Sequence, residues 1–143
     1  MSNSIAGPGF LLQKGDGGGP EAFTTLAEVL DIKGPALKTD VVDVTNQSSP
    51  SGWEEVISTI KRGGNLTFDC NFVPSNGTQN ATTGLLADYL SKVLRNFKLL
   101  NNDAGPTKWT FSAFIVGYSP SYPVAGVAKL AVDLKLSGIP TLA

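Results

Sequence analysis

The sequence contains no histidine and only one cysteine, Cys70. Without imidazole, Ser-His-Asp and Cys-His catalysis, histidine metal sites and the commonest general base are all excluded. One cysteine cannot form an internal disulfide, and it fits a reducing compartment. Charge is scarce and balanced: charged residues are 16% of the chain, eleven Lys and Arg against twelve Asp and Glu. No global basic field therefore exists to hold nucleic acid by its phosphates. No run approaches the roughly 18 apolar residues of a membrane helix. MSNSIAGPGF lacks the basic-then-apolar order of a signal peptide, so neither membrane contact nor export is expected.

What is present suffices for a core. Hydrophobic residues are 41% of 143, and a single domain of this length removes roughly 68–70% of its unfolded surface from water. Residues 1–20 stand apart, with Gly7, Gly9, Gly15, Gly17, Gly18 and Gly19 among them. They read as a flexible arm with a short extended piece at Phe10–Leu12, ordered only against a partner surface. The folded domain then covers 21–143. Four Asn-x-Ser/Thr sequons, at Asn46, Asn65, Asn76 and Asn80, are by-products of an Asn- and Thr-rich chain.

Periodicity places the elements. NLTFDCNF (65–72) alternates strictly: Leu66, Phe68, Cys70 and Phe72 on one face, Asn65, Thr67, Asp69 and Asn71 on the other. Residues 108–120 and 127–138 are also strands. In the second, Leu130, Val132, Leu134 and Leu136 point inward, and Lys129, Asp133 and Lys135 outward. A strand is expected over 22–33, stopped by Gly34-Pro35, and a short one from Asp40 to Thr45. In WEEVISTI, Trp53, Val56, Ile57 and Ile60 share a helical face, with Ser51 and Glu54 spaced as a capping box; a short helix is expected at 53–60. Apolar residues from Leu85 to Phe97 predict a longer helix over 83–97. Turns are expected at 74–78, in NNDAGP (101–106) and in YPVAG (122–126). Ahead of them lies a long polar loop at about 36–52, and loops of that length are functional or mobile. With no βαβ rhythm, the order predicts an α+β, mainly β chain: a two-sheet antiparallel β-sandwich with one flanking helix and a short second one.

Little in this chain can do chemistry. Cys70 lies on the apolar face of its strand as a small buried hydrophobe. GDGGGP lacks the Gly-Lys-Ser/Thr of a phosphate loop. Glu54 and Glu55 diverge, and Asp69 and Asp133 could approach only if their strands are neighbours. Trp53, Trp109 and Phe111 lie in apolar stripes and are assigned to the core. No catalytic, metal or cofactor-binding residues are assigned.

The order of motifs carries a resemblance. A Gly-rich arm leads to FTTLAEVLDIKGP, then to DVVDVTNQSSPSGWEEVISTIKRGGNLTFDCNF, and the chain closes on an alternating strand ending LKLSGIP. Over residues 7–141 this resembles the major tail tube proteins of long-tailed, siphovirus-type bacteriophages, which are related to type VI secretion tube proteins. The resemblance implies hexameric rings whose inner sheets join into one barrel and stack into a hollow tube for DNA delivery. It implies as partners the chain itself, a tape measure protein in the tube, tail terminator and tail tip proteins, and genomic DNA in transit. The place implied is the virion tail, assembled in the host bacterial cytoplasm.

Open sheet edges would be removed by ring closure. The polar set Asn65, Thr67, Asp69, Asn71, Lys129, Asp133 and Lys135 is then the expected lumen wall, hydrated and without a basic row to grip DNA. The loop residues Asp43, Thr45, Asn46, Gln47, Ser48, Ser49 and Pro50 are expected between subunits or rings. Two other readings stand beside this one: a monomeric ligand-binding sandwich using Trp53, Trp109, Tyr118 and Tyr122 as platforms, and another ring-forming component such as a tail terminator. A small hydrolase is the weakest reading.

Overall fold

The computed structural model describes residues 9–101 and 107–143. Met1–Pro8 of the expected arm and most of the expected NNDAGP turn lie outside the described residues. Among the described residues the strands are β1 (Leu11–Gly15), β2 (Phe23–Thr25), β3 (Val29–Lys33), β4 (Lys38–Asp43), β5 (Val56–Arg62), β6 (Asn65–Asn71), β7 (Arg95–Leu100), β8 (Lys108–Ser121) and β9 (Lys129–Leu142), and one α-helix, α1, covers Leu85–Ser91. Every pairing is antiparallel. A seven-stranded sheet has the order β2-β1-β7-β8-β9-β6-β3, and β4-β5 form a separate two-stranded sheet. The mainly β, two-sheet architecture expected from the sequence is present, in unequal halves.

The alternating strands behave as their pattern dictates. Leu66, Phe68 and Cys70 of β6, Phe111, Ala113 and Ile115 of β8, and Leu130, Val132, Leu134 and Leu136 of β9 are buried. They join Leu12 of β1, Phe97 and Leu99 of β7 and Leu85 of α1 in one cluster. A flat sheet could not cover this face with a helix of seven residues. The β8–β9 ladder carries two irregularities, at Thr110/Ser112 and Ile115/Gly117, of the kind that bend a sheet locally. Gly117 permits the second: a Cβ there would sit 2.9 Å from the Asp133 carboxylate.

Four expectations are corrected. First, WEEVISTI is not helical. The chain makes a 3-10 turn at Pro50–Gly52 and then enters β5. Val56, Ile57, Thr59 and Ile60 are β-branched, and such side chains are stiff in helices and suit a pleated strand. The capping box is absent too, because Ser51 sits at φ 53° inside the turn.

Second, the helix expected over 83–97 stops at Ser91. Lys92 takes the left-handed conformation, and Arg95–Leu100 leaves as a strand that buries Phe97 and Leu99. Third, 22–33 splits into β2 and β3, because Leu26 turns into the core and Glu28 has positive φ.

Fourth, the glycine-rich arm contributes β1 within its own subunit, paired to β2 and β7. The anchor is ionic. Lys14 Nζ lies 2.6 Å from Asp88 Oδ2 and donates to the Thr83 carbonyl at 3.1 Å. Arg95 Nε holds the other carboxylate oxygen at 3.1 Å and its Nη1 donates to the Asp16 carbonyl. Asp88 is 4% exposed, so both its oxygens are satisfied by protein.

Candidate functional site

Two surfaces hold the residues singled out by the sequence. The first is the outer face of β6 and β9. These strands are neighbours over seven residue pairs, with Asn65 opposite Lys135, Thr67 opposite Asp133, Asp69 opposite Ala131 and Asn71 opposite Lys129. All seven expected lumen residues therefore share one face, because their alternates Leu66, Phe68, Cys70, Leu130, Val132 and Leu134 are buried beneath them. Lys33 extends the face, opposite Thr67 on β3. Its charges alternate in sign, so it carries no basic row. Asn71 is only half-exposed and donates to Glu28 Oε1 at 3.3 Å. On the other flank the face becomes apolar at Phe114 and Val116 of β8.

The Cys70 thiol below this face is pushed up to about 11, first by burial and then by the Asp69 and Glu28 carboxylates. It stays protonated near neutrality and is no nucleophile. Among the described residues, no three His, Cys, Asp or Glu side chains cluster as metal ligands. Among those residues, too, no helix is long and apolar enough to cross a membrane.

The second surface is the β4–β5 hairpin. Its register runs from Lys38 opposite Arg62 to Asp43 opposite Val56. The tip is closed by Val44 N–H donating to the Glu55 carbonyl and Glu55 N–H to Thr45 Oγ1, both at 2.9 Å. The expected loop residues, Asp43 and Thr45–Pro50, all sit at this tip. They are fastened to one another: Thr45 N–H donates to Asp43 Oδ1, Ser48 N–H to Asn46 Oδ1 and Asn46 N–H to Ser49 Oγ. The Thr45 hydroxyl and N–H hold the Asp43 carboxyl below its ordinary range.

Neither face of the hairpin is covered. Val41, Val42, Val56, Ile57 and Ile60 are between 49% and 60% exposed, and Trp53 is 74% exposed. The expectation that Trp53 belongs to the core is therefore corrected; helical spacing suggested a buried stripe where the chain builds a projecting ribbon. Trp109 packs against the core and Phe111 lies within it, as expected. Trp109 and Tyr118 are nine residues apart on β8, roughly 30 Å along an extended strand, and Tyr118 spends its hydroxyl on the Gln79 carbonyl. The proposed aromatic platform is not assembled.

Sequence reasoning missed two features. One is the Lys14–Asp88–Arg95 network, whose members are 74 and seven residues apart. The other is a cleft between the base of the hairpin and the end of β9, lined by Leu37, Lys38, Ile60, Lys61, Lys135 and Ile139. No local pattern marks either.

Solved structures share this fold. Over 98% of this chain and 99% of the other, it superposes on a chain of the native gene transfer agent virion with a TM-score of 0.74 at 15% identity. The same coverage and score, at 17% identity, hold for a chain of the tail of the empty gene transfer agent particle, determined with C6 symmetry. The SPP1 tail tube matches with a TM-score of 0.67 at 11% identity, covering 97% of this chain and 78% of that one. No family model matches the sequence, and no curated protein does. The chain has the fold of these tail proteins.

Proposed function

We propose that this chain is a structural subunit of a phage-type tail tube, without catalysis. Six copies close into a ring, and rings stack into a hollow tube through which DNA is delivered. The observation that carries this reading is the β6–β9 face, polar at every outward position but Ala131, on a sheet that ends in the edge strands β2 and β3. Unpaired edges recruit strands from other chains unless something blocks them, and ring closure removes them. The shared fold with a tail solved in C6 symmetry supports six as the number.

In this reading Asn65, Thr67, Asp69, Asn71, Lys129, Asp133 and Lys135 line the bore. Their alternating charge keeps water at the wall and displaces few counterions from a passing duplex. The hairpin tip, Asp43 and Thr45–Pro50, lies between subunits or rings. A tape measure protein occupies the bore before DNA does, terminator and tip proteins close the ends, and assembly takes place in the host bacterial cytoplasm.

Electron microscopy of the purified protein over a concentration series tests the proposal. Sixfold rings or hollow tubes are expected, and a chain that stays monomeric throughout overturns it. In the tubes, a cysteine introduced by Asp69→Cys should react with a small maleimide and resist a bulky polymer-linked one. Equal reaction with both would move that face out of the bore.

A further inference from the structure

The hairpin is charged differently at its two ends. Its tip carries Asp43, Glu54 and Glu55 beside the exposed Trp53 and Val44. Its base carries Lys38 and Lys61 and abuts Lys135 of β9, around the exposed apolar side chains of Leu37, Ile60 and Ile139. Among the described residues none of these three lysines is in an ion pair; the hairpin's one internal pair joins Arg62 to Asp40, at 2.9 Å. Tip and base are separated by a six-residue strand, β4, roughly 20 Å of extended chain. The acidic, aromatic end therefore cannot fold back on the basic, apolar cleft of its own subunit.

A two-stranded ribbon exposed on both faces is marginal on its own, and an apolar patch rimmed by charge marks an interaction surface. Here both halves of a complementary pair occur on one chain, too far apart to meet within it. We propose that the hairpin tip of one copy docks in the cleft of another, Trp53 covering Leu37, Ile60 and Ile139 while Glu54 and Glu55 meet Lys38, Lys61 and Lys135. The occupant is a second copy of this chain. The contact is heterologous, tip to base, so each subunit offers one of each and the series can continue. This rests on the tail tube reading and gives its hairpin a specific receptor.

Two variants test it: E54K/E55K reverses the tip, and K38E/K61E reverses the cleft. Neither touches the buried cluster, and unchanged circular dichroism and Tm check that both fold. Each variant alone should need about tenfold more protein to assemble, as opposed charges become like ones. The two mixed in equal parts should pair, and the fourfold variant should assemble as the wild type does. Trp53 emission should shift to the blue on wild-type assembly and the shift should vanish in Trp53→Phe, which leaves Trp109 as the remaining tryptophan. Either reversed variant assembling at the wild-type concentration overturns the docking while leaving the tube reading intact. So does failure of the fourfold variant to recover. If K38E/K61E assembles normally but loses affinity for duplex DNA, the cleft is a nucleic-acid site and the docking is wrong. A wild type that never assembles removes the tube reading and the docking together.

Discussion

The β6–β9 pair and the β4–β5 hairpin are built from the same kinds of residue and treat them oppositely. In β6–β9 the period-two pattern resolves inside the subunit: Leu66, Leu130, Val132 and Leu134 are 0% exposed, and the polar alternates face out. In β4–β5 the apolar residues Val41, Val42, Val56 and Ile57 are each at least 49% exposed, with no layer over either face. One region covers its own apolar face, and the other leaves its apolar side chains open to solvent. Amphipathic spacing thus identifies a surface to be covered but not the molecule that covers it.

Substitutions should separate the two regions by size of effect. Leu134→Ala removes a fully buried side chain and should cost about 3–5 kcal/mol of stability, read by denaturant unfolding; a cost near zero would mean the β9 core is not packed as described. Asp88→Asn should cost about 3 kcal/mol, because it leaves Lys14 and Arg95 without their shared carboxylate in a buried site. Hydrogen exchange should show β1 released first. Ile57→Ser on the hairpin should change the stability of the free subunit by less than about 0.5 kcal/mol, yet weaken assembly. A large loss of monomer stability would erase the distinction between the regions.

The smallest effect concerns acid. The Asp40 carboxyl is held below its ordinary value of 3.8 by hydrogen bonding to the Arg62 guanidinium. A depressed carboxyl contributes its stability above the unfolded value and loses it as the pH falls through the folded one. Hairpin amides should therefore lose protection below pH 3.8, slightly and with strong screening by salt. Unchanged protection on acidification would show that the pair adds nothing.

The long strands β6, β8 and β9 were legible in the sequence because each buries one face within the subunit, so the pattern and the environment agree. So was the lumen candidate face, since the outward set follows automatically once the inward set is assigned. Residues 53–60 misled because Trp53, Val56, Ile57 and Ile60 satisfy helical spacing while their β-branching favours a strand; the hairpin partner, Lys38–Asp43, decides. Residues 92–97 misled because Val93, Leu94 and Phe97 continue a helical stripe across the point where Lys92 ends it. Glycine content hid β1, whose place depends on a lysine finding an aspartate 74 residues away. The cleft was invisible for the same reason: Lys61 and Ile139 become neighbours only through the fold.

The crossings that join the hairpin to the main sheet have a mechanical consequence. On one side Gly34 takes φ 115°, and on the other Gly64 takes φ 67° with the Ala36 carbonyl where a Cβ would stand. Because the ribbon adds nothing to the buried cluster, tilting it about these two joints leaves that cluster intact. A column made of such parts would gather its curvature at the seams, bending like a jointed hose while each segment keeps its bore round.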